Sequence, residues 1–333
     1  MPSDTALVTG GAGFIGSHVA RAACEMGLDV VALDDLSGGF RDNVPPKARF
    51  VEGDITDVPL ITDLFKNYRF RYVYHLAAYA AENLSHFIRI FNYTNNLVGS
   101  ANLINASVRH EVDCFVFTSS IAVYGTCPPP MREDQQPEPE DPYGIAKAAV
   151  ERDLCASHKL FGLPFVIFRP HNVYGPGQNI GDRYRNVVGI FMNCIMQNQP
   201  MPIFGSGKQS RAFSYIDDVA PCIAKSPQIE ACLGEVFNIG ADEPTTVEQL
   251  ALIVAEAMQV EPNIIRHPVR SEVLHAYASH EKFRKVFQPQ PPVPLREGVQ
   301  RTAEWAKRSG PRKSKPFSNI EIEKGLPPAW LEV

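Results

Sequence analysis

No stretch of this 333-residue chain comes close to about 18 uninterrupted apolar residues, so nothing in it reads as a membrane-spanning helix. Cysteine is sparse: there are seven, an odd number, with no Cys-x-x-Cys pair. That argues against a disulfide framework or a zinc site and leaves buried free thiols in a reducing cytosol as the simple reading. A basic excess is missing too. The formal net charge is −5, which removes the electrostatic case for nucleic acid. No internal repeat stands out. A strand signal begins within a few residues of Met1, leaving no room for a signal peptide. The expectation is a cytoplasmic globular protein with neither membrane nor nucleic acid as partner.

What is present alternates. Strand and helix signals follow one another until about residue 170, the pattern of an α/β, doubly wound parallel sheet. The expected strands end near Thr9, Asp34, Gly53, Ala77, Ser119 and Arg169. The expected helices cover about 14–27, 57–68, 86–110, 143–161 and 185–199. After Pro170 proline and glycine become frequent, as in Pro200-Met201-Pro202-Ile203-Phe204-Gly205. Residues 1–170 therefore read as a nucleotide-binding domain and 171–308 as a smaller, irregular α/β lobe, with 213–240 returning to the main body. Residues 309–333 read as a tail, partly disordered, whose apolar run Gly325-Leu326-Pro327-Pro328-Ala329-Trp330-Leu331 is suited to docking, for instance on a neighbouring subunit.

The first strand, Thr5-Ala6-Leu7-Val8-Thr9, runs into Gly10-Gly11-Ala12-Gly13-Phe14-Ile15-Gly16 and then an amphipathic stretch. Strand, glycine turn and helix form a dinucleotide fingerprint. Gly10 makes the turn, Gly13 admits a pyrophosphate, and Gly16 lets the helix pack closely. The helix N-terminus, at Phe14 and Ile15, then aims free N–H groups at phosphate. The second strand ends in Asp34-Asp35. A carboxylate there accepts from ribose hydroxyls and repels an additional phosphate, so the expected cofactor is NAD, with Asp34 the main contact. Arg41, further along the loop, keeps NADP open.

Asp141-Pro142-Tyr143-Gly144-Ile145-Ala146-Lys147 places a phenol and an ammonium four residues apart, on one helix face. A phenol titrates near ~10, and a neighbouring ammonium draws that value down. The expectation is that Lys147 tunes Tyr143 into a base.

These residues carry a family resemblance. The chain resembles the extended short-chain dehydrogenase/reductases, in particular the NAD-dependent nucleotide-sugar epimerase/dehydratase group with its UDP-glucose 4-epimerase-like members. The resemblance runs from about residue 5 to about 305. It rests on the glycine turn, Gly53-Asp54-Ile55, His75-Leu76-Ala77-Ala78, and Asn96-Leu97-Val98-Gly99-Ser100. Thr118-Ser119-Ser120 before Val123-Tyr124-Gly125, Tyr143-x-x-x-Lys147, and Arg169-Pro170-His171-Asn172-Val173-Tyr174-Gly175-Pro176 complete it. The resemblance implies bound NAD, a nucleoside-diphosphate sugar and a homodimer. It implies cofactor contacts at the glycine turn, Asp34, Asp35, Asp54, Ile55, Leu76, Ala77, Ala78, Asn96, Thr118, Tyr143, Lys147 and Pro170. Catalysis falls to Ser120, Tyr143 and Lys147. Ser119, one residue off, is expected to face away.

Dehydratases of this group carry Asp-Glu after the catalytic hydroxyl; this chain carries Ile121-Ala122. Neither moves a proton. What remains is oxidation at sugar C4 and return of hydride to the opposite face, with UDP-glucose/UDP-galactose as first choice. UDP-glucuronate or an N-acetylated sugar stays open. A dehydratase using Glu82, a 3,5-epimerase or a reductase also remains open, as does a non-catalytic NAD sensor. On the substrate side the resemblance implies Asn172, Arg211 and Arg270 on the diphosphate and Phe204 against the base, with Glu272 in an uncertain ribose role. Glu82 near the sugar disfavours a uronic acid, whereas Arg183 and Arg185 favour one. His171 reads as a packed histidine.

Overall fold

The structure is a computed structural model that describes residues 4–269, 273–313 and 317–330. Arg270 and Glu272 fall outside the described residues, as does Leu331. Seven parallel strands form the main sheet: β1 (Thr5–Thr9), β2 (Asp29–Asp34), β3 (Arg49–Glu52), β4 (Phe70–His75), β5 (Cys114–Thr118), β6 (Phe165–Pro170) and β7 (Glu235–Ile239). Their spatial order is β7-β6-β5-β4-β1-β2-β3, with every pair parallel. The six sequence-expected strands end close to where they were placed. The reason is chemical: β5, Cys-Phe-Val-Phe-Thr, is buried at every position, as a parallel strand covered on both faces must be.

The chain leaves β1 toward β2 and leaves β4 toward β5, so a crevice opens between β1 and β4 at their carboxyl ends. A directed hydrogen-bond chain ties this point together. Ala77 N–H donates to Thr9 Oγ1 at 3.2 Å, and the Thr9 hydroxyl bonds His75 Nδ1 at 2.8 Å. His75 Nε2 meets Ser100 Oγ at 2.8 Å, and Ser100 donates its proton to Asn96 O at 2.8 Å. Because Ser100 donates onward, it accepts from His75 Nε2–H, and His75 Nδ1 accepts from Thr9. Burial holds this ring neutral, with its pKa well below the usual histidine value.

The expected helix over 86–110 is interrupted. A short helix, Glu82–Ser85, precedes it, and the span itself breaks into Arg89–Tyr93, a π-helical segment Thr94–Val98, and Gly99–Arg109. The π segment carries Asn96, whose amide both accepts from Tyr79 N (2.9 Å) and donates to Tyr79 O (3.2 Å). A regular helix would rotate Asn96 away from that backbone; π turns often mark such sites.

The helix Pro142–Phe161 has a full set of end signals. Asp141 Oδ1 accepts from Tyr143 N and Gly144 N at 2.9 and 3.0 Å, Pro142 sits in the first turn, and Gly162 ends the helix at φ +75°. A Cβ on Gly144 would lie 2.6 Å from Ala122 O, so glycine brings the helix against the turn that follows β5.

Strand β7 closes the sheet beside β6, and the helix Ile216–Lys225 covers the helix Phe14–Glu25. One hydrophobic cluster runs from Val8 and Val30 through Val173 and Phe191 to Val299 and Ala303, so the residues after 170 share the core of the sheet. All seven cysteines are free. Among the described residues no helix is long and apolar enough to cross a membrane.

The tail does not need a neighbouring subunit to dock. Trp330 and Leu326 are buried with Ala81, Leu84 and Ile88 of the same chain.

The hydrogen-bond chain at the switch point yields a prediction. Thr9→Val keeps the shape of the side chain but leaves His75 Nδ1 and Ala77 N–H without their partner. Urea unfolding should show a loss of about 1–3 kcal/mol with an unchanged slope; wild-type stability would remove the chain from any structural role.

Candidate active site

The switch-point crevice opens into a cleft of about 480 Å³, within the range of a small-molecule site. Its floor begins at the glycine turn. Gly10 adopts φ +69°, and a Cβ there would lie 2.8 Å from Ala77 N. Gly16 packs against the turn itself rather than the sheet: a Cβ would overlap Gly10 O. Gly13 lines the cleft beside Phe14 and Ile15.

Asp34 lies under this turn. Its Oδ2 accepts from Ala12 N at 3.0 Å and its Oδ1 from Leu36 N at 2.8 Å. Desolvation raises its pKa against those donors. Asp35 accepts from the backbone and hydroxyl of Ser37 at 3.0 and 2.7 Å. Both line the cleft, as do Asp54, Ile55, Leu76, Ala77, Ala78 and Pro170. Arg41 does not: its guanidinium rests 4.7 Å from the Phe50 ring centre. Asn96 departs from expectation. It is buried beneath the cleft wall, its amide committed to Tyr79 and Asn92, so it positions the loop after β4.

At the far end Ser120, Tyr143 and Lys147 converge. Ser119 does turn away, its hydroxyl donating to Glu151 Oε1 at 2.6 Å. Ser120 begins the short 3₁₀ turn Ile121–Tyr124, accepting from Ala122 N at 3.1 Å, and its hydroxyl favours the ionised form of the Tyr143 phenol. Lys147 donates to Thr118 O at 2.8 Å and lies 4.6 Å from the Phe117 ring centre and 5.8 Å from that of Tyr143.

The electrostatics correct the sequence expectation. Burial raises the Tyr143 pKa above the ordinary phenol value. The Ser120 hydroxyl opposes this, Asp141 and Glu82 add to it, and Arg185 opposes it. Burial also lowers the pKa of Lys147, to about 7, against the pull of Glu151. In the chain alone the phenol is protonated and the amine is near its midpoint at neutral pH.

Beneath these groups runs a buried network that the motifs did not signal. Arg169 grips Glu151 through two bonds, 2.9 and 2.5 Å, and donates to Tyr124 Oη at 2.7 Å; Tyr124 donates to Asn238 Oδ1 at 2.8 Å. Glu151 is eight residues past Tyr143 and four past Lys147, so the helix carries all three on one face. That spacing was the available signal.

The remaining residues form the other lobe's wall. Asn172, at φ +41°, lines the cleft and donates to Ala212 O at 3.3 Å. Arg211 holds the carbonyls of Val273 and Leu274 at 2.6 and 3.2 Å. Phe204 packs 5.2 Å from the His267 ring. Glu82 and Arg183 also line the cleft. Arg185 pairs with Asp182 at 2.5 Å and stacks on Tyr79 at 4.9 Å.

His171 is packed, as expected, but in a chain. Its Nδ1 bonds Ala212 O (3.0 Å), its Nε2 meets His280 Nε2 (2.9 Å), and His280 Nδ1 bonds Asp242 Oδ1 (2.7 Å). A carbonyl and a carboxylate only accept, so each Nδ1 donates. Burial first, and then His280, lowers the His171 pKa to about 3, and the hydrogen bond from His280 holds the Asp242 carboxyl below its ordinary value.

The fit of a dinucleotide can be tested on the chain's own atoms. Thr118, which lines the cleft at the end of β5, has a buried Oγ1 with no hydrogen-bond partner among the described residues. Such an atom calls for a polar ligand group. With the glycine turn and Asp34 at the opposite end, the residues fit.

Lys147 yields a prediction on stability. Below about pH 7 the folded and unfolded chains both hold its proton, and the full burial cost stands. Between about 7 and the ordinary ~10.5 only the unfolded chain holds it, so this cost fades as pH rises through that window. In cofactor-stripped protein at pH 7, Lys147→Met should raise urea stability by about 1–4 kcal/mol. A loss would show that the Thr118 contact outweighs desolvation.

Comparison with known proteins agrees with this geometry. The profile of the NAD dependent epimerase/dehydratase family matches residues 6–240. The UDP-glucose 4-epimerase of Mycolicibacterium smegmatis is 34% identical over 307 residues, covering 90% of this chain and 97% of its own. A dTDP-D-glucose 4,6-dehydratase of Mus musculus is 32% identical, over 91% of this chain and 88% of its own. The crystal structure of the Thermotoga maritima UDP-glucose 4-epimerase with UDP-glucose superposes with a TM-score of 0.86 at 33% identity, over 92% of this chain and 99% of that one. The chain belongs to the NAD-dependent epimerase/dehydratase family and is an NAD-dependent nucleotide-sugar epimerase.

Proposed function

We propose that the protein is a UDP-hexose 4-epimerase that interconverts UDP-glucose and UDP-galactose. The observation that carries this reading is the turn after Ser120, where Ile121 and Ala122 stand where an eliminating enzyme needs acids. Without them the chain has no group in that turn to move a proton at carbon, and reversible oxidation at C4 is the chemistry left.

When bound, NAD supplies a reversible hydride acceptor. The chain's residues do the rest. Asp34 and Asp35 would take the adenosine ribose, the turn at Gly10–Gly16 the pyrophosphate, and Thr118 and Lys147 the far end. Ser120 would orient the sugar O4 toward Tyr143 Oη. Tyr143 would take the C4 hydroxyl proton and give it back. Burial opposes that step, so the phenol needs positive charge beside it, which Lys147 gives in its protonated form. Asn172 and Arg211 would hold the diphosphate and Phe204 the base. Arg185 is already neutralised by Asp182, which with Glu82 supports an uncharged hexose over a uronic acid.

A second reading has one observation in its favour. Glu82 is the carboxylate lining the Tyr143 end, and its charge is felt at the phenol. It is the acid that a dehydratase on this scaffold would use.

Turnover in D₂O separates the two. A 4-epimerase should give a product of unchanged mass with no deuterium on carbon. Stoichiometric carbon-bound deuterium would overturn the 4-epimerase and point to Glu82. Tyr143→Phe should retain NAD and lose about 10²–10⁴ in turnover; near-wild-type rates would remove Tyr143 from the chemistry. Asp34→Ala should weaken NAD and narrow the gap to NADP, read by competition titration; an unchanged preference would take the ribose role from Asp34.

A further inference from the structure

The tail crosses back over the molecule and ends against the cleft. Arg312 lays its guanidinium 3.6 Å from the Phe40 ring centre and exchanges two hydrogen bonds with Asn193, 2.9 Å each. Phe317 sits 5.3 Å from Tyr79 and 5.0 Å from Phe91, ring centre to ring centre, and donates its N–H to Tyr184 Oη at 3.1 Å. Glu321 accepts from Ile90 N and Phe91 N, one oxygen each, both at 2.8 Å. Trp330 is buried edge-on to Tyr184 at 5.3 Å and to Phe87 at 6.1 Å.

The side chains that the tail touches are themselves cleft residues. Tyr79, Phe91 and Tyr184 line the cleft, at the end where Glu82 and Tyr143 meet. Tyr79 and Phe91 lie on the chain between β4 and the π segment, Tyr184 on the loop after Pro176; neither stretch belongs to a strand or long helix that would fix it. The tail holds the two stretches to each other.

We propose that residues 317–330 form a fixed outer wall of the sugar end of the cleft, setting which hexose substituents are admitted while taking no part in the chemistry. This rests on the nucleotide-sugar reading above. Tyr79, Phe91 and Tyr184 are then specificity-determining residues, and Glu321, Phe317 and Trp330 position them.

The test uses the full chain with its NAD. Dissociation constants are measured by calorimetry for UDP, UDP-glucose and UDP-N-acetylglucosamine, with wild type, Glu321→Ala and Phe317→Ala/Trp330→Ala. UDP affinity and NAD retention should stay within about twofold of wild type. UDP-glucose should lose about tenfold, and the ratio of UDP-N-acetylglucosamine to UDP-glucose affinity should shift by about tenfold toward the bulkier sugar. Equal weakening of all three probes would mean general loosening and would overturn the wall, as would unchanged ratios. Should the double variant fail to fold, Glu321→Ala, which removes only an exposed clamp, decides alone. If wild type binds UDP-glucose no tighter than UDP, the nucleotide-sugar reading falls first and the wall with it.

Discussion

The parting of the chain between β1 and β4 is the constraint on which the rest hangs. A parallel sheet has its loop ends on one side, but adjacent loops normally bend the same way and close over each other. Only where successive connections diverge does a gap persist. Here the gap is kept at a fixed width by a neutral histidine bonded on both sides, to Thr9 of one strand and to Ser100 of the helix behind. The same run continues to Asn96, and Asn96 pins Tyr79. The turn at Gly10, the loop after β4 and the π segment are therefore one assembly. A shift in any of them moves the floor of the cleft.

The second organising feature is one face of the helix Pro142–Phe161. Tyr143, Lys147 and Glu151 follow at intervals of four, from cleft to interior. Their charges are graded: a protonated phenol, an amine near its midpoint, and a carboxylate locked to Arg169. A buried ion pair such as Glu151–Arg169 is weak evidence for stability in itself. Its service here is geometric. It reaches Ser119 on one side and Tyr124 on the other, fixing the strand end and the turn that flank Ser120.

Much of this was legible in the sequence, and the limits have physical causes. The glycine turn, Asp34 and the strand ends were readable because their signals are local: a backbone conformation, a charge at a strand terminus, a run of apolar residues. Ser120 over Ser119 was readable because neighbouring side chains on a strand face opposite ways. The break in the helix near residue 94 was not, since a π turn leaves the apolar pattern almost unchanged. Asn96 was misplaced for the same reason. The Tyr143 pKa, expected to be depressed, is raised, because spacing reports proximity but not desolvation. Arg169, His280 and Glu321 each act on partners far away in sequence, and no local pattern announces such pairs.

The joined rings of His171 and His280 bear on how this sequence can change. The two Nε2 atoms meet each other, while each Nδ1 has its own acceptor, Ala212 O for one ring and Asp242 for the other. Replacing one alone strands a ring nitrogen of the other in the interior, while Asp242 keeps its pair with Arg284. Replacing both together with apolar residues removes the demand altogether. For mutation the two positions, over a hundred residues apart, are in effect a single locus, and a viable path between forms of this enzyme has to cross both steps in quick succession.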